Sequence, residues 1–165
     1  MKKINISLNK ILITILIVLI IILSILLIID LKEKQRIHDN MLKTYDSITY
    51  NDKTNVYLFY GEECPHCEHL FSYLDTLTDY EYNLYKFEVW HDKSNSKLKK
   101  IIVDKLSKTT YLNSNISIDR YYGSVPLLII GNDVFLGYSD EYNIDIENSL
   151  STNTNFDIMK ILDLH

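Results

Sequence analysis

The feature that most constrains the fold of this chain is an apolar run near its N-terminus. Between Ile11 and Ile29 only Thr14 and Ser24 are polar. As an α-helix, these 19 residues are long enough to cross the hydrocarbon core of a bilayer, which is about 30 Å thick. We therefore predict a short tail over 1–10 and a transmembrane helix over 11–29 that contacts membrane lipid.

A cleaved signal peptide is the competing interpretation of this run. Signal peptides have an apolar region of about 7–15 residues and a cleavage site built from small residues. The run in this chain is longer, no small-residue pattern follows it, and the chain contains no alanine. The pattern therefore favours a signal anchor that stays in the protein.

The charges around the run bear on its orientation. Lys2, Lys3 and Lys10 precede it, and a segment of mixed charge begins at Asp30. Because positive charge tends to stay in the cytoplasm, we predict a single-pass protein of the cell membrane with its C-terminal domain extracytoplasmic. The chain has a net charge of −5, and without its first 30 residues the net charge is −7. This acidity argues against a nucleic-acid partner.

The remainder divides into a stalk over 30–53, helical or a partly ordered linker, and a domain over 54–165. Runs of β-forming residues predict strands over 56–60, 82–90, 126–130 and 134–136. Apolar periodicity predicts helices from Cys64, over 95–108, and over 156–164 with Asn155 as its cap. The stretch 142–146 fits a strand or a helix. This order indicates an α/β domain with a mixed four-stranded sheet flanked by helices.

The motif Cys64-Pro65-His66-Cys67 contains both cysteines of the chain and directly follows the first predicted strand. A helix N-terminus favours the thiolate of the first cysteine, because its unsatisfied N–H groups face the anion. Cys67 shares a helix face with Leu70, so we expect Cys67 to point at the core and Cys64 to lie at an exposed tip. A disulfide that closes so short a ring constrains the chain little, which favours a reactive pair over a structural bond.

Two other interpretations of the motif remain open. Cys64, His66, Cys67 and His69 are residue types that bind zinc. Structural zinc sites usually take four ligands from two separated pairs, and the chain has no second Cys-x-x-Cys, so we expect no metal. A redox-inert interaction module at the membrane is the other alternative. It would keep its function in a Cys64→Ser variant, whereas an oxidoreductase would not.

The stretch from Phe59 to Cys67, together with Ser124-Val125-Pro126, resembles the thioredoxin-like superfamily over roughly residues 54–150. The segment that follows Ser124 is similar to the second half of glutaredoxins, and the Pro-His dipeptide resembles that of DsbA-type oxidases. The resemblance implies a thioredoxin-like fold, a cis peptide bond before Pro126, and a redox-active Cys64–Cys67 disulfide with no further cofactor.

The resemblance also implies a thiol–disulfide oxidoreductase that acts on protein thiols and disulfides, as an oxidase, an isomerase or a reductase. Together with the apolar run, this predicts a membrane-tethered enzyme, for which a redox partner in the membrane is one possibility. The residues assigned to its site are catalytic Cys64, Cys67 and His66, and substrate-binding Val125, Pro126 and Tyr60. His66, as imidazolium, would stabilise the Cys64 thiolate. The backbone of Val125 would hydrogen-bond a substrate segment added as a strand.

One position departs from the thioredoxin pattern. Leu58 stands six residues before the first cysteine, where many thioredoxins carry a buried acid. Proton transfer to and from Cys67 must therefore use another group or water. Elsewhere, we expect the lysines of 97–105 on a solvated helix face, and Trp90 in core or rim packing.

Overall fold

The computed structural model describes residues 8–152 together with 157 and 160. The chain forms two compact units, Met1–Ile37 and His38–His165. Helix α1 (Leu8–Asp46) makes up the described part of the first unit and supplies the first residues of the second. The helix predicted over 156–164, with its cap Asn155, lies outside the described residues apart from two positions.

The first unit contains the apolar run. Its large side chains from Ile11 to Ile29 are exposed on α1. Among the described residues this is the one helix long and apolar enough to cross a membrane, with a mean hydropathy of 3.7. Length and composition therefore identify a candidate span, and a signal sequence meets the same criteria.

The second unit alternates strands and helices. After α1 its elements are β1 (Thr54–Tyr60), α2 (Pro65–Leu74), β2 (Tyr82–Glu88), α3 (Lys93–Leu106), α4 (Ile118–Gly123), β3 (Leu127–Ile130), β4 (Asp133–Leu136), a 3₁₀ turn (Asp140–Tyr142) and α5 (Asn143–Thr152). Helix α3 begins before the predicted residue 95, because the Asp92 side chain accepts the N–H groups of Ser94 and Asn95. The ambiguous stretch 142–146 is helical.

The four strands form one mixed sheet in the order β2-β1-β3-β4. Strand β1 pairs parallel to β2 and antiparallel to β3, and β3 pairs antiparallel to β4. The register places Leu58 opposite Leu128 at the centre of the sheet. This order and these directions confirm the predicted thioredoxin-like α/β fold. They also place the end of β1 beside the start of β3.

Successive side chains of β1 point to opposite sides of the sheet, and the side chains on both sides are buried. Tyr57 and Phe59 pack with side chains of α3 and α4, whereas Leu58 packs with those of α2 and α5. Met41 and Tyr45 join the α3 side of the core. The later part of the stalk interval 30–53 thus contributes to this core, and the division into stalk and domain stays a prediction.

Candidate active site

The two thiols lie where β1 ends and α2 begins. Cys64 is the N-cap of α2, with extended backbone angles φ −91° and ψ 111°, and Pro65 is the first helical residue. Proline suits this position because the first N–H groups of a helix have no intrahelical acceptor. The N–H of Cys67 donates to the Cys64 carbonyl at 2.9 Å, which brings both side chains to the same turn.

The burial of the two cysteines agrees with the prediction for one of them. Cys67 is 0% exposed and points into the core as expected. Cys64 is only 5% exposed, so the prediction of an exposed tip is wrong. The loop before β3 covers it, and the Cys64 Sγ donates to the Val125 carbonyl at 3.8 Å. This contact brings the cysteine motif and the proline loop together, although 61 residues separate them.

Both cysteines are free thiols. Burial, together with a hydrogen bond to Cys64, raises the pKa of the Cys67 thiol to about 12; a hydrogen bond to Gly61 and the positive charge of Lys99 act in the opposite direction. Cys67 therefore keeps its proton at neutral pH. Since the thiolate is the reactive form, Cys64 is the better candidate for the attacking sulfur.

The proline loop has a defined shape around Pro126. The Val125–Pro126 peptide bond is cis, as the resemblance implied. Pro126 is buried and Val125 is half-buried. The N–H of Gly137 donates to the Pro126 carbonyl at 2.8 Å. Gly137 has a φ of +78°, a conformation that favours glycine, so the turn after β4 holds the loop from one side.

Lys99 holds the same loop from another side, and its burial contradicts the prediction of a solvated lysine face. Lys99 is 3% exposed, and its Nζ donates to the carbonyls of Tyr122 at 3.2 Å and Ser124 at 2.5 Å. Burial lowers the pKa of Lys99 to about 8, against the opposing influence of Cys67. One signal was available in the sequence: Lys99 lies one helical turn before Val103, on the buried stripe of α3.

The remaining predicted site residues lie at the rim of the motif. His66 is exposed in the first turn of α2. Tyr60 is half-buried at the end of β1, and its ring meets Phe71 edge-on with centroids 5.1 Å apart. Burial, with the nearby Glu62 and Glu88, raises the pKa of Tyr60. Its role in a substrate groove stays a prediction.

Trp90 lies beside the turn that leads to Cys64. Its side chain is 48% exposed and packs on Gly61, where an added Cβ would come within 2.3 Å of the indole. Of the two predicted positions for Trp90, in the core or at the rim, the structure shows the rim. The carboxylate of Glu88 accepts the N–H groups of Trp90, His91 and Asp92 at 2.8–2.9 Å, which fixes the segment after β2.

Two histidines near the motif each lie close to one carboxylate. The Nε2 of His69 lies 3.2 Å from Asp140, and the Nε2 of His91 lies 3.7 Å from Glu63. In the part of the chain that the structure describes, no group of three or more His, Cys, Asp and Glu side chains is arranged to hold a metal ion.

Comparison with known proteins gives one distant structural similarity. No protein-family model matches the chain. No curated protein matches it either. The crystal structure of a glutaredoxin from Archaeoglobus fulgidus is similar, with 16% sequence identity, a TM-score of 0.40, and coverage of 66% of this chain and 91% of that chain. The fold assignment therefore depends on the strand order and directions described above.

Proposed function

We propose that this chain is a membrane-tethered thiol–disulfide oxidoreductase that exchanges disulfides with extracytoplasmic protein substrates through Cys64 and Cys67. The observation that carries the proposal is the asymmetry of two free thiols in one helical turn. Cys67 is fully buried and its pKa is raised, whereas Cys64 occupies the helix N-terminus next to the proline loop. This arrangement separates an attacking sulfur from a resolving one.

In the reducing direction, the Cys64 thiolate attacks one sulfur of a substrate disulfide. A Cys64–substrate disulfide forms, and the other substrate sulfur leaves as a thiolate that takes a proton. Cys67 then gives up its proton and attacks the Cys64 sulfur. The Cys64–Cys67 bond forms, and the first substrate sulfur leaves as a second thiol. The oxidising direction is the reverse of these steps.

The proline loop supplies the proposed substrate contact. Val125 is half-buried, and its carbonyl faces the Cys64 sulfur. A substrate segment that runs beside Val125 and Pro126 as an added strand would present its sulfur to Cys64. Tyr60 would border this segment, and the exposed His66 would stabilise the thiolate as imidazolium. Because Cys64 is only 5% exposed, the site favours extended substrate segments over rigid surfaces.

The apolar helix supports the membrane part of the proposal. The segment 11–29 is long and apolar enough to cross a membrane. The proposed enzyme is anchored by it in the cell membrane, where a redox partner could also lie. With the tail inside, protease added to intact cells should degrade an epitope tag at the C-terminus. Protection of the tag in intact cells, with loss after lysis, would contradict an extracytoplasmic domain.

Disulfide trapping tests the redox function. The Cys67→Ser variant of the full chain, expressed in cells, should accumulate adducts with other proteins that disappear on reduction, because a serine hydroxyl cannot resolve the Cys64–substrate bond. The matched Cys64→Ser variant should form none. Adducts of equal amount in both variants, or in neither, would refute the proposed roles.

The equilibrium potential of the Cys64–Cys67 couple distinguishes the two directions. In the full chain held in detergent micelles, a potential of about −270 mV would indicate a reductase like thioredoxin, and one of about −120 mV would indicate an oxidase like DsbA. Gel shift with a thiol-reactive polymer, after equilibration in glutathione buffers, measures this potential.

A further inference from the structure

Val125 differs from its two neighbours in how its backbone is hydrogen-bonded. The Ser124 carbonyl accepts from the Nζ of Lys99 at 2.5 Å, and the Pro126 carbonyl accepts from a backbone N–H of the turn after β4 at 2.8 Å. Within the described part of the chain, the Val125 N–H has no hydrogen-bond partner, and the Val125 carbonyl accepts the thiol of Cys64 at 3.8 Å. Because a thiol is a weak donor, Val125 offers one donor and one acceptor to another backbone.

Lys99 sets the direction of this free donor. The Ser124 carbonyl and the Val125 N–H belong to one trans peptide unit, in which C=O and N–H point in opposite directions. Because the Ser124 carbonyl points at Lys99 on α3, the Val125 N–H points away from α3. The same Nζ also binds the Tyr122 carbonyl at 3.2 Å, so one buried side chain fixes two points of the loop.

Among the described residues, no ion pair explains the burial of Lys99. Its side chain is only 3% exposed, and removal of an ammonium from water costs free energy that an apolar side chain would not. The hydrogen bonds of Lys99 go to two neutral carbonyls, while the Asp104 carboxylate of the same helix accepts the Tyr122 hydroxyl. A residue without N–H donors could not hold the loop in this way.

We propose, on the basis of the redox function proposed above, that Lys99 is a positioning residue for the substrate: it orients the Ser124–Val125 peptide so that Val125 pairs with the backbone of an extended substrate segment. The Val125 carbonyl faces the Cys64 sulfur, so a segment paired with Val125 passes beside that sulfur. A donor and an acceptor on one residue are what a neighbouring β-strand pairs with. The substrate class that fits is a flexible segment whose backbone is free on both sides of its cysteine, with few demands on its side chains.

This role should separate peptide substrates from small disulfides. A peptide segment can pair with Val125, whereas a small disulfide without amide groups meets Cys64 alone. A change in the reactivity of the Cys64 thiolate affects both kinds of substrate in the same way. The ratio of the two rates therefore reports on backbone pairing and not on the effect of the lysine charge on the thiol.

Two mixed disulfides with the same leaving group measure this ratio. One joins thionitrobenzoate to mercaptoethanol, and the other joins it to the central cysteine of a blocked heptapeptide. The reduced full chain is held in detergent micelles near neutral pH. The Cys64 thiolate attacks the mercaptoethanol or peptide sulfur, a disulfide from Cys64 to that sulfur forms, and thionitrobenzoate leaves as a coloured thiolate. A second heptapeptide, N-methylated at the two residues next to its cysteine, lacks the N–H donors needed for pairing.

Three variants test the positioning role. We expect Lys99→Met to lower the ratio of the peptide rate to the mercaptoethanol rate about tenfold, which corresponds to about 1.4 kcal/mol and so to about one hydrogen bond. N-methylation should slow the wild type by a similar factor and slow Lys99→Met little further, because the pairing is already lost. Lys99→Arg keeps N–H donors for the two carbonyls and should retain most of the ratio. Lys97→Met, a half-buried lysine on the same helix, should leave it unchanged.

The outcomes distinguish this inference from the proposed function. A ratio and a sensitivity to N-methylation that stay at wild-type values in Lys99→Met would overturn the role of Lys99 and leave the redox function standing. A loss in Lys99→Arg as large as that in Lys99→Met would also overturn this role. A wild-type chain that releases no thionitrobenzoate from either mixed disulfide would overturn both.

Two measurements decide if Lys99→Met fails to fold. Lys99→Gln keeps N–H donors on a side chain one atom shorter, so it should lower the ratio by a smaller factor, and a wild-type ratio in this variant refutes the positioning role. The wild type alone provides the other measurement, because equal rates with the plain and the N-methylated peptide would refute backbone pairing at Val125.

Discussion

Replacement of Lys99 by methionine should change how the stability of the second unit depends on pH. Lys99 is buried, and its pKa falls from 10.5 in the unfolded chain to about 8 in the folded one. Between these values the unfolded state binds more protons than the folded state, so the free energy of unfolding rises with pH. A methionine binds no proton, so the variant should lack this rise.

The size of the effect follows from the pKa difference. One pKa unit corresponds to about 1.4 kcal/mol, so the shift amounts to about 3 kcal/mol in full, of which about 2 kcal/mol is gained between about pH 7 and pH 9.5. At pH 7 the variant also leaves the Tyr122 and Ser124 carbonyls without their donor, at a cost of about 1–3 kcal/mol each. At pH 7 the free energy regained by removing the buried charge nearly cancels the cost of the two unpaired carbonyls. At high pH Lys99 is already neutral in both states, so only the cost of the carbonyls remains.

Urea unfolding of the reduced full chain in detergent micelles measures this difference. Trp90 is the sole tryptophan and lies in the second unit, so its emission reports on that unit alone. The change in unfolding free energy caused by Lys99→Met should become more destabilising by about 2 kcal/mol from about pH 7 to pH 9.5. Lys97→Met should show no such trend. Parallel stability profiles for wild type and Lys99→Met would refute a depressed lysine pKa.

Three further predictions concern the rim of the site. Gly61→Ala should destabilise the second unit by about 1–3 kcal/mol and red-shift tryptophan emission, because the new Cβ would displace the Trp90 indole; unchanged emission would contradict this packing. Three N–H donors outweigh burial and lower the pKa of Glu88 from its ordinary value of 4.5. Its contribution to stability is therefore present above that value and is lost as pH falls through the folded pKa. Glu88→Gln should flatten this acid dependence of Tm, and an unaltered curve would count against it. Oxidation of Cys64 and Cys67 should change the emission of Trp90, which packs on Gly61 next to the motif, and an equal change in Cys64→Ser would exclude the disulfide as its cause.

Much of the fold could be predicted from local patterns. Runs of β-forming residues located all four strands. The signal is clearest for β1 and β3, since a strand buried on both faces needs apolar side chains at successive positions. Pro65 and the apolar stripe of α2 located the helix start and the inward direction of Cys67. Helix α4 was missed, because a polar segment such as 109–124 carries no apolar period that indicates a helix.

The amino-acid sequence by itself determined the apolar run over 11–29, the positions of the strands along the chain, and the placement of Cys64 and Cys67 at a helix start. These features depend on residue types and spacings within one segment, so short-range physics decides them. Only the tertiary structure decided that Cys64 is covered and that Lys99 is buried. Both depend on the proline loop, which is distant in the chain and closes over the motif because β3 pairs with β1. The protonation chemistry of the thiols is therefore a property of the assembled fold.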